Sequence, residues 1–357
     1  MKANREIKKV IFVIVNMSGG GAERVISILA NQFVKTGMEV AIMMTAGSTV
    51  SYKLDERIEL ICVGQVTNGS MGERIKRVKN MRKYFKKNKE ATIISFGPGT
   101  SFFAMLADLG LPNPRVISER NDPAICPYPF FRNIIYNMAH VLVFQTEDAR
   151  DCFPKRIAKK GYIIPNPIKE ELPSPFVGVR KKKIVAVGRL EEQKNYPLLI
   201  KVFATFVERF PEYELHIYGE GSLREKLEMQ IKESNMEKQI ILKGFVKSVL
   251  EEIIDASMYV LSSDYEGISN ALLEAMAIGL PVVSTDCPIG GSKLCIQHGE
   301  NGLLVPVGDG YQMLLKMKKI ASNQTFADEI SKNAAQIKEK YSEKNISEMW
   351  KHVMMKI

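Results

Sequence analysis

Cysteine is scarce in this 357-residue chain, and the five that occur (Cys62, Cys126, Cys152, Cys287, Cys295) are scattered, with no C-x-x-C pair. An odd, dispersed set gives neither a disulfide framework nor a zinc site, and a reducing, cytosolic compartment is the expectation. Long apolar runs are lacking too: none approaches the ~18 residues that a membrane-spanning helix needs. The opening MKANREIKKVIFVIVN sets positive charge ahead of an apolar stretch, as a signal peptide does. Asn16 interrupts it, however, and the Ser-Gly-Gly-Gly-Ala-Glu-Arg that follows favours a first β-strand and a strand-to-helix turn. Neither glycine-rich turn has the G-x-G-x-x-G spacing. NMSGGGAER (16–24) does not fit it, and GEGSLR (219–224) has Arg224 where the third glycine belongs, so a nicotinamide dehydrogenase is disfavoured. No RNP, zinc-finger or KH-like signature supports a nucleic-acid-binding module.

What is present is ordinary globular composition, 45% hydrophobic and 25% charged, at a length that suits two domains. The charge is unevenly placed. Residues 1–170 hold 26 Lys+Arg against 15 Asp+Glu, or +11, and the remainder holds 24 against 25, or −1. An anionic partner for the first half follows: a membrane surface, nucleic acid or a phosphorylated substrate. The segment 73–90, ERIKRVKNMRKYFKKNKE, concentrates nine cations, while Ile75, Val78, Met81 and Phe85 recur at helical spacing. One face of this helix is therefore expected on the core, with cations over the other. Just downstream, PAICPYPFF sets Tyr128, Phe130 and Phe131 among prolines; core packing, an acceptor groove and a bilayer interface all remain open for it.

From Lys183 onward, short apolar strands (KIVAVGRL, ELHIYG, QIILKG, MYVLSS, PVVST) alternate with helical segments, one of them opening at Ser222 and Glu225 with capping-box spacing. The first half begins the same way with VIFVIV and EVAIMMT, and ATIISFG, PRVISE and HVLVFQT continue it. Such alternation means βαβ units and parallel sheets covered on both faces. Two doubly wound α/β domains facing a central cleft are expected, with IIPNPI (163–168) and the polar stretch after it as linker. In these sheets ligands bind beyond the carboxyl ends of the strands.

Three stretches place chemistry at those ends. In NMSGGGAER, glycines leave a strand and enter a helix, which suits either a tight turn or backbone N–H groups aimed at an anion. In GRLEEQKN, Arg189 follows a buried strand and Lys194 precedes a helix. Either cation alone suits a solvated surface, but the pair at one sheet edge suits phosphate. In EGISNALLEA (266–275), Ser269 or Asn270 caps a helix that ends at Gly279, and Glu274 stands alone among apolar residues. A buried carboxylate there needs hydrogen-bond donors, from the protein or from ligand hydroxyls.

Glu266 and Glu274 form an E-x7-E motif. With GRLEEQKN, IPNPI, YGEGSLRE, ENGLLV and SGGGAER in order, the chain resembles retaining glycosyltransferases of the GT-B fold, family 4, also called glycosyl transferases group 1. The resemblance spans nearly the whole chain and is densest over 160–310. It implies an acceptor domain over 1–170, a donor domain over 171–340 and a helix over 341–357 that packs back on the first domain. It implies that Arg189 and Lys194 hold the donor diphosphate, Glu274 the ribose hydroxyls and Glu266 the donor sugar near its reacting carbon. Backbone amides around Ser269, Asn270 and Ala271 would reach phosphate and sugar hydroxyls. The base would lie near Gly219, Gly221 and Phe245, with Gly20 and Gly21 closing over the diphosphate. The implied reaction is a metal-independent hexosyl transfer with no cofactor beyond the nucleotide-sugar donor, UDP being the favoured nucleotide. Many relatives carry a histidine just after the strand matching PRVISE. Here Ser118-Glu-Arg-Asn-Asp122 has none, which leaves Glu119, Arg120 and Asn121 as acceptor-side candidates. A lipid-diphosphate-linked glycan of surface polysaccharide synthesis suits a basic enzyme on the inner face of the cell membrane, bound peripherally to anionic lipid. Sugar-nucleotide epimerases share the architecture and are the competing enzyme class; a polyanion-binding protein is the non-enzymatic one.

Overall fold

The computed structural model describes residues 7–65 and 70–357. The chain divides into two compact units, one comprising Met1–Lys169 with Tyr341–Ile357, the other Glu170–Lys340.

The first unit is a seven-stranded sheet: β1 Lys9–Ile14, β2 Glu39–Met44, β3 Glu59–Cys62, β4 Thr92–Phe96, β5 Arg115–Ser118, β6 Val141–Phe144 and β7 Gly161–Ile163, in the order β3-β2-β1-β4-β5-β6-β7. All pairings are parallel; Phe12 on β1 sits level with Ile42 of β2 and Ile94 of β4. The central strands are buried on both faces, which is why they read as continuous apolar runs rather than alternating ones. The helix Glu343–Met354 belongs to this unit. Trp350 is fully buried and stacks on Phe96 with ring centroids 6.1 Å apart, and Gln32 donates to the Glu343 carboxylate.

The second unit has six parallel strands: β8 Lys181–Val187, β9 Glu214–Tyr218, β10 Ile240–Gly244, β11 Ala256–Leu261, β12 Val282–Thr285 and β13 Leu303–Val305, in the order β10-β9-β8-β11-β12-β13. This is the doubly wound order 3-2-1-4-5-6. The chain reverses between β8 and β11, so the loops leaving those two strands diverge and open a crevice at their carboxyl ends. The first unit repeats the arrangement between β1 and β4.

Several local expectations are corrected. Ser222 and Glu225 do not form a capping box. The helix begins at Arg224 behind Leu223, and the Ser222 backbone N–H and hydroxyl both donate to Glu191. IIPNPI is not a free linker: Ile164, Asn166 and Ile168 are buried in the first unit, and the Ile168 N–H donates to the Tyr341 carbonyl at 2.7 Å. On the helix Met71–Lys87, Met81 and Phe85 are buried as the spacing predicts, but Ile75 is exposed. The edge strand β3, largely exposed with Glu59 at its start, and the three-residue strands β7 and β13 carry too little apolar pattern to be read beforehand.

Candidate functional site

At the β8/β11 reversal the two divergent loops are sewn together by polar contacts. Asn195 takes a left-handed conformation, accepts from the Leu198 N–H to cap the helix Tyr196–Val207, and donates to Asp264 at 2.7 Å. The Asp264 N–H donates to the Gln193 carbonyl, the Gln193 amide to the Tyr265 carbonyl, and the Ser262 hydroxyl to the Lys194 carbonyl, each within 2.9 Å. The outcome is the placement of two charges. Lys194 Nζ donates to Glu266 Oε1, which also accepts from the Ser263 hydroxyl at 2.9 Å, and the two side chains keep only 12% and 10% of their surface in water. A pair this desolvated adds little net stability, yet removing either member strands the other charge at a cost of about 3–5 kcal/mol. Its value is a fixed ammonium and a fixed carboxylate at a sheet edge.

The next element follows directly. Ser269 caps the helix Asn270–Ala277 by accepting from the Leu272 N–H, and Gly279 turns the chain with φ +73°. Glu274 is buried in that helix among Leu272, Leu273, Ala275 and Met276. Arg189 is exposed at the end of β8. Gly219 and Gly221 have a structural duty: a Cβ on Gly219 would stand 2.0 Å from the Gly188 carbonyl oxygen, and one on Gly221 2.4 Å from that of Leu190. The Leu190 N–H in turn donates to the Glu220 carbonyl. The GEG turn thus clasps the loop that carries Arg189. Phe245 lies just beyond β10 and is largely exposed.

Burial dominates the titration of the neighbours. Tyr196 and Tyr259 are held well above the ordinary phenol range, with the Glu266 charge adding to the effect, and the Cys287 thiol is pushed up to about 12. These groups stay neutral at physiological pH and present dipoles rather than charges.

Sequence reasoning missed part of this frame. Ser263, Asn195 and Asp264 were not singled out, although an asparagine immediately before Tyr-Pro is a recognisable cap signal. Gly291 was missed as well: its Cβ would fall 1.8 Å from the Gly267 carbonyl oxygen, so only glycine lets the segment after β12 lie against the Glu266 loop. Ile289 and Gly290, just before it, both have positive φ, an unusual conformation for a β-branched residue.

The remaining candidates belong to the first unit. Gly20 caps the helix Gly21–Lys35 and its carbonyl accepts from the Tyr52 hydroxyl at 2.8 Å. A Cβ on Gly20 would stand 2.2 Å from the Glu23 carboxylate, so the carboxylate lies beside this cap. Glu119 is buried and spent internally, accepting from the Arg120 and Asn121 N–H groups and, at 2.6 Å, from the Tyr136 hydroxyl; burial raises its pKa. Arg120 donates to Ser118 and Asn166 and lies over the Phe96 and Trp350 rings, and burial pulls its pKa down to about 9. Of the three, only Asn121 is exposed. Among the described residues no group of three or more His, Cys, Asp or Glu is placed to hold a metal ion, and no helix is long and apolar enough to cross a membrane.

Comparison with known proteins agrees with this fold. Residues 168–337 match the family model "Glycosyl transferases group 1". The chain is 26% identical over 353 residues to a Campylobacter jejuni GalNAc-alpha-(1->4)-GalNAc-alpha-(1->3)-diNAcBac-PP-undecaprenol alpha-1,4-N-acetyl-D-galactosaminyltransferase, covering 96% of this chain and 97% of that one. It is 25% identical over 354 residues to an uncharacterized glycosyltransferase of Haemophilus influenzae, covering 98% and 100%. Among solved structures, Anabaena HepE in complex with UDP and glucose superposes with a TM-score of 0.84 at 17% identity, covering 99% and 100%. Two doubly wound parallel sheets and this superposition define the fold as GT-B, and the family-model match with the full-length relatives makes the class of protein a glycosyltransferase. Within that class, the match to the glycosyl transferases group 1 model falls almost wholly in the second unit, Glu170–Lys340.

Proposed function

We propose that the protein transfers a hexosyl group, with retention of configuration, from a UDP-sugar to a lipid-diphosphate-linked glycan. The observation that carries this reading is the Lys194–Glu266 pair fixed at the β8/β11 reversal, beside the helix start at Ser269–Ala271. Cleaving the donor breaks the bond from the anomeric carbon to the β-phosphate oxygen. Negative charge then grows on the diphosphate and positive charge on the sugar ring. Lys194, Arg189 and the N–H groups at the start of the helix Asn270–Ala277 would meet the first charge, and the Glu266 carboxylate the second. Because Glu266 and Ser262 already hold Lys194 at both ends, little reorganisation is needed when the diphosphate charges. The acceptor hydroxyl bonds to the anomeric carbon on the face the diphosphate leaves, and its proton passes to a leaving phosphate oxygen. Glu274 is assigned to the ribose hydroxyls, and the Gly219–Gly221 turn and Phe245 to the base.

UDP as nucleotide is supported by the Anabaena complex, and a lipid-diphosphate acceptor by the name of the Campylobacter relative. The +11 charge of residues 1–170 supports a cytoplasmic protein held peripherally on an anionic membrane face. The charge stabilisation described needs no metal, so activity is expected to survive EDTA. A thermal-stabilisation screen against nucleotide sugars tests the donor: UDP and UDP-sugars should raise the melting temperature, and no shift with any nucleotide would overturn the reading. NMR of the product tests the stereochemistry, and an inverted anomeric centre would refute retention.

A further inference from the structure

We infer that the first unit docks on an anionic bilayer by inserting an apolar ridge built from two neighbouring helices, Pro98–Asp108 and Pro129–Met138. The inference rests on the reading of a lipid-linked acceptor and adds the surface that would reach it. Phe102, Leu106 and Leu109 are exposed at i, i+4 and i+7 spacing on and just beyond the first helix, and Phe130, Phe131 and Ile134 are exposed on the second. The two helices pack against each other. Phe130 and Phe131, 71% and 62% exposed, meet edge to face, so neither ring turns inward to the core.

Charge decides the occupant. Residues 97–114 and 123–139 contain one acidic and one basic side chain, Asp108 and Arg132, and both are buried: Asp108 pairs with Arg115, and Arg132 donates to the Pro123 carbonyl. The ridge therefore presents no exposed charge. The neighbouring helix Met71–Lys87, packed against Pro98–Asp108, exposes Arg74, Lys76, Lys79, Lys83, Lys86 and Lys87. An uncharged aromatic and aliphatic ridge flanked by a field of cations matches the two layers of an anionic membrane, acyl chains for the rings and phosphate headgroups for the lysines. A soluble protein partner of ordinary composition would not need so dense a band of cations beside the patch.

The test exploits the single tryptophan, Trp350, which is fully buried and silent to lipid. In a Phe130→Trp variant, a second emission should shift to the blue on adding vesicles of phosphatidylcholine and phosphatidylglycerol in equal parts, and lipids brominated on the acyl chains should quench it. The double variant Phe130→Ser/Phe131→Ser should bind those vesicles about 100-fold more weakly, consistent with removing two inserted rings. UDP binding by the same variant should be unchanged, which shows that it folds and keeps the donor reading separate from this one. Pure phosphatidylcholine vesicles should bind weakly, since they offer nothing to the cations. No spectral shift, or equal vesicle binding by the parent and the double variant, would overturn the proposal. So would light scattering that shows a parent dimer broken by the double variant, because the ridge would then be an interface between copies. If vesicle binding follows the prediction while UDP binding fails in the parent, the docking surface stands and the donor assignment falls.

Discussion

The two units share a strand order and differ in almost everything that decides chemistry. Both reverse direction at the first and fourth strands of their sheets, β1/β4 and β8/β11. In the second unit that reversal is furnished with a desolvated ion pair, a capped helix start and a buried glutamate. In the first unit the Glu23 carboxylate lies beside Gly20 of the corresponding glycine-rich turn, and Glu119 and Arg120 after β5 are turned inward on Tyr136 and Asn166. The same topology therefore yields one sheet edge that carries a fixed, desolvated ion pair and another at which Glu119 and Arg120 mainly hold the scaffold. Net charge runs the other way, +11 in residues 1–170 against −1 beyond them, so the unit with the organised site is not the one with the long-range field.

The sharpest way to break this contrast is Lys194→Ala. Turnover should fall about 10²–10³-fold, the scale of losing one pre-positioned electrostatic contact, with donor affinity changed far less; steady-state kinetics with a saturating donor would show it. Glu274→Gln should instead weaken UDP-sugar binding by about tenfold, because a charged acceptor becomes a neutral one with a misplaced donor. Calorimetric titration measures that directly. Gly219→Ala comes next. The added carbon must push the Gly188 carbonyl away, so donor affinity and melting temperature should both drop, while Glu220→Ala in the same turn should leave the melting temperature within a degree or so.

For the first unit the contrast predicts that Glu119 is a scaffold residue. Glu119→Gln should lower the melting temperature and leave the acceptor KM alone, whereas Asn121→Ala should raise that KM. The reverse pattern would mean that the acceptor side is organised like the donor side. The smallest effect is one of pH. Burial raises the Asp108 carboxyl to about 6, so the folded chain holds this proton more tightly than the unfolded one does. Its contribution to stability is then greatest below the ordinary carboxylate pKa of about 4 and is lost as pH rises through 6. Asp108→Asn should flatten the melting temperature across that window.

Legibility followed the same divide. The strands of the second unit are uninterrupted apolar runs bounded by glycine and proline, so the fold could be read from spacing, and E-x7-E, which falls on one loop and one helix, could be read as a motif. What spacing does not carry is which polar groups meet across loops. Asn195 with Asp264, Ser263 with Glu266, and Gly291 against Gly267 are contacts between segments far apart in sequence or two-sided turns with no periodic signal. In the first unit, Glu119 and Arg120 look like a free polar pair in sequence. Only Tyr136, Asn166 and Trp350, brought in from three other elements, reveal that they are enclosed. Conversely, the sequence around Tyr128, Phe130 and Phe131 leaves core packing, an acceptor groove and a bilayer interface equally open, and the three side chains are exposed.

The central claim is that donor recognition belongs to the loops leaving β8 and β11. Hydrogen–deuterium exchange of the full chain with and without saturating UDP tests it most directly. Protection should rise in residues 188–195 and 262–277 above all other segments. Saturating UDP that leaves both segments unchanged, or protects the β5 loop at 119–122 instead, would contradict it.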